Sequence, residues 1–127
     1  MKRIYIVVEG AADASALRRI LPNEVKKQCD FVIGRGKSAA ISDARTLLTI
    51  SREPVALVVD ADDADPTRVR EQQKILKQLL ESAASGIPCR AFLAVPNLDS
   101  IMENRGAVNQ MPLVKEIVDF VKSISSQ

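Results

Sequence analysis

The chain has 127 residues, of which 46% are apolar and 27% are charged, and its formal net charge is +2. A chain of this length and composition predicts one globular domain whose core needs no disulfide or metal to hold it. The absence of histidine excludes a His-rich zinc site and any mechanism that needs an imidazole base near pH 7. With so small a net charge, nucleic-acid affinity would have to come from a local basic patch.

Four short apolar runs predict four buried strands. The first is Ile4–Val8, and the others cover residues 31–33, 55–59 and 91–95. Continuous runs this short, rich in β-branched residues, are typical of strands buried on both faces of a parallel sheet. The longest runs have about five residues, far fewer than the ~20 needed to cross a bilayer, so we expect no membrane span.

Segments with helical spacing alternate with these strands. Apolar residues recur at helical spacing within 17–21, 41–48 and 69–83, and a last amphipathic helix is predicted at about 112–124. Residues 96–100, Pro-Asn-Leu-Asp-Ser, predict a loop that enters a short helix. The order β-α-β-α-β-α-β predicts an α/β, Rossmann-like fold: a four-stranded, mainly parallel sheet flanked by helices, plus a C-terminal helix.

The pattern predicts a single domain over residues 1–127, with a core at about 3–100 and a helical extension at about 101–124. Cys29 and Cys89 lie far apart in sequence and each starts an apolar run, so we interpret them as core thiols in a reducing compartment. Because no secretory leader is recognisable, we expect a cytoplasmic protein.

Polar or charged residues follow all four predicted strands. They are Glu9-Gly10, Gly34 to Lys37, Asp60 to Asp63, and Pro96 to Asp99. In a parallel sheet, ligands bind beyond the carboxyl ends of the strands. The agreement of these four segments is the strongest functional signal in the sequence.

The acidic residues after the first and third strands predict a metal site. Asp60 and Asp62 are two residues apart, so an extended backbone would point both carboxylates to the same face. Glu9 ends the first strand, and Asp13 lies where the first helix should begin. Four such carboxylates would repel one another unless a cation lay among them. The set Glu9, Asp13, Asp60 and Asp62 therefore predicts bound Mg²⁺ or Mn²⁺.

The acidic residues also have structural interpretations. Asp13 by itself is an ordinary helix N-cap. Asp63 and Asp65 precede Pro66 and by themselves would only begin the third helix, whose dipole favours negative charge there. The metal interpretation depends on the combination of residues and not on any one of them.

Two short segments resemble the motifs of the Toprim domain family. They are Val8-Glu9-Gly10-Ala11-Ala12-Asp13 and Val58-Val59-Asp60-Ala61-Asp62. That family has a glutamate at the end of its first strand, often in an EGxxD context, and a DxD motif at the end of its third. The resemblance covers roughly residues 3–100. It implies an α/β fold around a four-stranded parallel sheet, Mg²⁺ binding, and the making or breaking of phosphodiester bonds.

The resemblance also implies roles for individual residues. Asp60 and Asp62 would be metal ligands, and Glu9 would be either a third ligand or the general acid/base. Asp13 would match the second carboxylate of the nuclease-like form. Asp99 is similar to an acidic position of OLD-type nucleases in the family, and equally to an acidic residue that starts a helix. The domains with which large members grip or pass DNA are not recognisable, so the resemblance implies a small, OLD-nuclease-like protein rather than a topoisomerase or primase.

A glycine-rich turn, Gly34-Arg35-Gly36-Lys37-Ser38, joins the second strand to a helix, where backbone N–H groups form an anion site. The P-loop pattern is not met, because Phe31 occupies its first glycine position, and this disfavours an ATPase. Two interpretations stay open. Arg35 and Lys37 either hold a substrate phosphate near the metal, with Lys37 assisting catalysis, or are solvated bases on a turn.

Two functions are predicted from these features. The first is Mg²⁺-dependent phosphotransfer on DNA or RNA, most simply by a nuclease that cleaves phosphodiester bonds. The second is a non-catalytic Toprim-like module that binds nucleic acid or a partner protein within a larger DNA repair or defence assembly. A phosphoacceptor receiver domain is disfavoured, since it needs an acidic pair after its first strand and only Glu9 stands there. The last helix could pack on the sheet or on another subunit, which leaves a homodimer open.

Overall fold

The computed structural model describes residues 3–103 and 112–126. The strands are β1 (Ile4–Val8), β2 (Cys29–Ile33), β3 (Val55–Asp60) and β4 (Cys89–Ala94). The helices are α1 (Ala11–Ile20), α2 (Asn23–Lys26), α3 (Lys37–Thr46), α4 (Pro66–Ala84), α5 (Leu98–Glu103) and α6 (Pro112–Ser125). A π-helical turn, Leu47–Ser51, continues α3.

The sheet has four strands, all parallel, in the order β2-β1-β3-β4. β1 is central, with Ile4 opposite Cys29 of β2 and Tyr5 opposite Val55 of β3. This arrangement confirms the predicted α/β fold. Because the strands are parallel, the segments that follow them all lie along one edge of the sheet, which we call the carboxyl edge.

Helices cover both faces of the sheet. Side chains alternate along β1, so that Ile4, Ile6 and Val8 pack with α1 and α6 on one face, while Val7 packs with α3 and α4 on the other. Strands covered on both faces need continuous apolar runs, which is the pattern that the sequence shows. The C-terminal helix α6 packs on the sheet, with Ile117 fully buried.

The structure contains two short elements that the sequence did not predict. These are the single-turn helix α2 and the π-helical turn. Residues 104–111 of the predicted extension lie outside the described residues.

Cys29 is buried and Cys89 is half-buried, and both thiols are free. Burial raises the pKa of the Cys29 thiol to about 11, which makes it a poor nucleophile. Within the described part of the chain, no helix has both the length and the apolar character needed to cross a bilayer.

Candidate functional site

Glu9 and Asp60 come from adjacent strands and are joined by a hydrogen bond. The backbone N–H of Asp60 donates to Oε2 of Glu9 over 2.6 Å. Oδ1 of Asp60 accepts the backbone N–H of Leu98, at the start of α5, over 2.8 Å. One oxygen of each carboxylate is therefore fixed by the backbone. Within residues 3–103 and 112–126, the other oxygen of each carboxylate takes part in no hydrogen bond.

Asp13 and Asp99 lie near this pair and also serve their helices. Asp13 is in the first turn of α1, and its Oδ2 accepts the N–H of Gly10 over 3.1 Å. Asp99 is in the first turn of α5. The N-cap of α1 is Gly10 and not Asp13, so the interpretation of Asp13 as an N-cap was wrong, although it does lie in the first turn. The interpretation of Asp99 as an acidic residue at a helix start is confirmed. These positions still leave them at the carboxyl edge, beside Glu9 and Asp60.

Two carboxylates at this edge, Glu9 and Asp13, have raised pKa values. Burial is the largest cause of the raised pKa of Glu9, and the negative charges of Asp60 and Asp62 add to it, while the Asp60 N–H and Lys37 oppose it. Burial is also the largest cause of the raised pKa of Asp13, followed by the charge of Asp60, with a smaller contribution from Asp99. Repulsion from neighbouring carboxylates, which the sequence predicted for these strand ends, thus adds to the effect of burial at Glu9 and Asp13.

Asp62 is oriented differently from the prediction. β3 ends at Asp60, and Asp62 has a left-handed backbone with φ of 55°. The premise of an extended backbone through Asp62 was therefore wrong, and strand alternation does not set the direction of its side chain. Its carboxylate pairs instead with Nζ of Lys37 at 3.3 Å, and the side chains of Asp62 and Lys37 are 65% and 31% exposed respectively.

Asp63 and Asp65 are neutralised by the helix that they precede. Nε of Arg68, in the first turn of α4, donates to Oδ2 of Asp63 over 2.5 Å, and its Nη1 lies 3.3 Å from Asp65. The hydrogen bond from Arg68 lowers the pKa of Asp63 to about 2. This confirms their structural interpretation. The spacing of three and five residues before Arg68 was a signal that the sequence contained.

The glycine-rich turn places Lys37 beside the acidic residues. Gly34 N–H donates to the carbonyl of Val8 over 2.8 Å, and Gly36 N–H donates to the carbonyl of Glu9 over 3.1 Å, so the turn is fixed against the end of β1. Gly36 has φ of 103°, a conformation that favours glycine. α3 then begins at Lys37. Arg35 is exposed and takes part in no ion pair or side-chain hydrogen bond within the described ranges.

The negative charge of the edge is only partly balanced. Lys37 compensates Asp62, and Arg68 compensates Asp63 and Asp65. In the part of the chain that the structure describes, no ion pair involves the four remaining carboxylates, which are those of Glu9, Asp13, Asp60 and Asp99.

The donor chemistry of Glu9 and Asp60 fits a hard divalent cation, since each offers a carboxylate oxygen without a hydrogen bond. The four predicted ligands are not assembled into one group. Among the described residues, no three acidic, cysteine or histidine side chains are close enough together to hold an ion. Mg²⁺ is commonly bound by one or two carboxylates, with water and substrate phosphates completing its shell. A pair of carboxylates is therefore enough for that ion.

In comparisons with known proteins, no family model, no curated protein and no solved structure matches the chain. The Toprim resemblance therefore stays a prediction that depends on the two motifs.

Proposed function

We propose that the protein is a Mg²⁺-dependent phosphotransfer enzyme that acts on nucleic acid, most simply a Toprim-like nuclease. The observation that carries this proposal is the pair Glu9 and Asp60. These carboxylates come from adjacent strand ends, each has one oxygen fixed by a backbone N–H, and neither has a cationic partner in the described part of the chain. They lie at the edge of the sheet where α/β folds bind their ligands. The substrate class, nucleic acid, comes from the resemblance of the segments 8–13 and 58–62 to the Toprim motifs.

Glu9 and Asp60 would hold the Mg²⁺ or Mn²⁺ ion, and Asp13 and Asp62 would contribute through bound water. When bound, such an ion supplies charge that offsets the negative charge of a phosphodiester. The alternative role of Glu9 is that of general base, and its raised pKa makes it a stronger base than an exposed carboxylate.

Lys37 and Arg35 would bind the phosphate of the substrate. Lys37 must leave Asp62 to do so, but an exposed ion pair of this kind contributes only ~0–1 kcal/mol. Movement of the Lys37 ammonium from Asp62 to a substrate phosphate therefore has a small free-energy cost. It also frees Asp62 for the metal.

Isothermal titration calorimetry with Mn²⁺ tests the metal site. We expect binding by the wild type and its loss in Asp60→Asn, because the amide keeps the hydrogen-bond acceptor for Leu98 but removes the charge. Asp63→Asn is the matched control, since Arg68 already neutralises that carboxylate, and it should bind Mn²⁺ as the wild type does. No heat from the wild type, or equal heats from Asp60→Asn and the wild type, would contradict the proposal.

The alternative function is a non-catalytic module, and one observation favours it: the formal net charge is only +2, which gives the chain little general attraction for nucleic acid. Incubation with Mn²⁺ and labelled single- and double-stranded DNA and RNA separates the two functions. Cleavage that is abolished in Asp60→Asn supports the enzyme. Normal Mn²⁺ binding without cleavage of any of these substrates supports the module.

A further inference from the structure

A surface groove runs along α3 away from the carboxyl edge. Its volume is about 580 Å³, and it lies between α3, the π-helical turn and α4. One end reaches the candidate site, because Ser38, which lines the groove, directly follows Lys37. We call it the α3 groove. Its polar lining consists of Ser38, Ser42, Arg45, Thr46 and Thr49.

The polar part of the lining of the α3 groove has the chemistry of a phosphate-binding surface. It presents four hydroxyl groups and one guanidinium, and none of its lining residues is acidic. Arg, Ser and Thr side chains are among the usual donors to phosphate oxygens in complexes with nucleic acid. Arg45 is exposed and takes part in no ion pair within the described ranges. Its guanidinium is therefore available to an anion from solution.

The length and direction of the α3 groove suit an extended phosphate backbone. Ser38, Ser42 and Thr46 are each four residues apart and so lie on one face of α3. From Ser38 to Thr49 the helix rises about 16 Å at ~1.5 Å per residue. Successive phosphates of an extended strand lie farther apart than the ~3.4 Å by which a duplex strand advances along its axis, so fewer than five of them fit along this distance. The π-helical turn carries Thr49 at the far end, and such turns occur frequently at functional sites.

We propose that the α3 groove binds the phosphodiester backbone of a nucleic-acid strand beside the phosphate that reacts. Arg45 pairs with one phosphate, and the hydroxyl groups donate to its neighbours. The strand runs from Lys37 along α3 to the π-helical turn. This inference rests on the proposed function, since it takes nucleic acid as the substrate, and it adds where the rest of the strand lies. The aliphatic part of the lining, Ile41, Ile50 and Leu79, contacts the sugars.

Fluorescence anisotropy in EDTA tests the inference without any contribution from a divalent metal. The probes are fluorescein-labelled oligonucleotides of one sequence as single-stranded DNA, duplex DNA and single-stranded RNA. We expect Arg45→Glu to weaken binding about tenfold. For each phosphate that Arg45 no longer neutralises, the slope of log K against log[salt] should fall by about 0.7 for a single strand or 0.9 for a duplex. Arg19→Glu makes the same charge change on the exposed side of α1, across the sheet, and should weaken binding less than about twofold.

Binding of DNA, of RNA or of both that Arg45→Glu weakens more than Arg19→Glu supports the α3 groove, and the probe that binds more tightly identifies the substrate. Equal weakening by Arg45→Glu and Arg19→Glu would overturn it, because the effect would then be one of net charge. A wild type that binds no probe would overturn it as well. Self-association of the wild type that Ile50→Ser abolishes would also overturn it. Ile50 is 75% exposed, and such a result would mean that the groove binds a protein surface.

The same measurements separate this inference from the proposed function. Oligonucleotide binding in EDTA together with an absence of Mn²⁺ binding would remove the nuclease and leave the α3 groove. Mn²⁺ binding that Asp60→Asn abolishes, together with no oligonucleotide binding in EDTA, would remove the α3 groove and leave the metal site. Circular dichroism of both arginine variants confirms that each is folded.

Discussion

At the scale of single residues, Glu9 meets two opposing requirements. Its Oε2 accepts the N–H of Asp60, which stabilises the junction of β1 and β3. Its charge is unfavourable there, because burial and the nearby carboxylates raise its pKa. A raised pKa means that the folded protein binds this proton more tightly than the unfolded chain does. The free energy of unfolding therefore falls as the pH rises from the unfolded to the folded pKa of Glu9, and the ionised carboxylate is destabilising above that range.

We expect Glu9→Gln to raise the melting temperature in EDTA at pH 7, because an amide keeps an oxygen for the Asp60 N–H and removes the charge. Glu9→Ala should lower it, since a half-buried N–H without a partner costs about 1–3 kcal/mol. Differential scanning calorimetry measures both. As the pH falls through the folded pKa of Glu9, which lies above the ordinary 4.5, the advantage of Glu9→Gln should disappear. A melting temperature for Glu9→Gln at or below that of the wild type at pH 7 would contradict this account.

The residues of the site could be predicted from the sequence better than the hydrogen bonds and ion pairs that they make. Glu9, Asp13, Asp60 and Asp99 were recognisable because acidic residues follow apolar runs, and the parallel sheet brings those positions to one edge. The direction of Asp62 was not, because Asp-Ala-Asp fits strand alternation as well as it fits a left-handed turn. Its pairing with Lys37, 25 residues away, depends on the turn geometry of two separate loops.

At the scale of elements, the start of α3 depends on a close approach of two backbone segments. A Cβ atom at Gly34 would lie 2.8 Å from the backbone nitrogen of Ala40 and 2.9 Å from its Cα. The helix could not then keep its position against the end of β1. Because Lys37 begins α3, the pairing of Lys37 with Asp62 depends on this glycine.

We expect Gly34→Ala to lower the free energy of unfolding by about 2 kcal/mol or more, because the clash involves backbone that cannot move aside. Urea unfolding followed by circular dichroism measures the change. Gly10→Ala is the matched control. Its φ is −154° and the nearest atom to an added Cβ lies 3.8 Å away, so no clash arises; because Gly10 is the N-cap of α1, where alanine is less favourable, it should lower the free energy by no more than about 1 kcal/mol. Equal effects of the two substitutions would show that the close approach to Ala40 is unimportant.

Elements with a strong repeating pattern could be predicted, and short ones could not. All four strands were predicted from apolar runs, with ends that differ by at most two residues; at β2 the polar Asp30 hid the true start. α2 has four residues and a single buried one, Val25, which is too little for a helical period to be visible. The π-helical turn was missed because Leu47 and Leu48 fit an ordinary helix equally well.

At the scale of the whole molecule, two separate cores lie on the two faces of one sheet. The core on the α1 side is completed by α6, whose apolar side Leu113, Val114, Ile117, Val121 and Ile124 is buried. The sequence left open whether this helix packs on the sheet or on another subunit, because an amphipathic pattern gives the buried side but not the surface that covers it. Within the described residues, α6 packs on β4 and on the core beneath α1.

We expect Ile117→Ala to lower the free energy of unfolding by about 2–5 kcal/mol, because a fully buried side chain is replaced by a cavity. Equilibrium unfolding in urea measures the loss. The exposed Lys115 on the same helix is the control, since its pair with Asp119 contributes no more than ~0.5 kcal/mol, so Lys115→Ala should have little effect. A loss below ~1 kcal/mol for Ile117→Ala would mean that α6 is not part of the cooperative core.

The central position of β1 has a consequence for how the chain folds as it is synthesised. β1 pairs with β3, and Tyr5 meets Val55, its partner, across 50 residues of sequence. A ribosome that adds ~5–20 residues per second takes about 3–10 seconds to cover that interval. During this time an apolar strand has emerged while one of its two neighbours does not yet exist. The nascent chain is therefore most exposed to aggregation, and most in need of a chaperone, before Asp60 has left the ribosome.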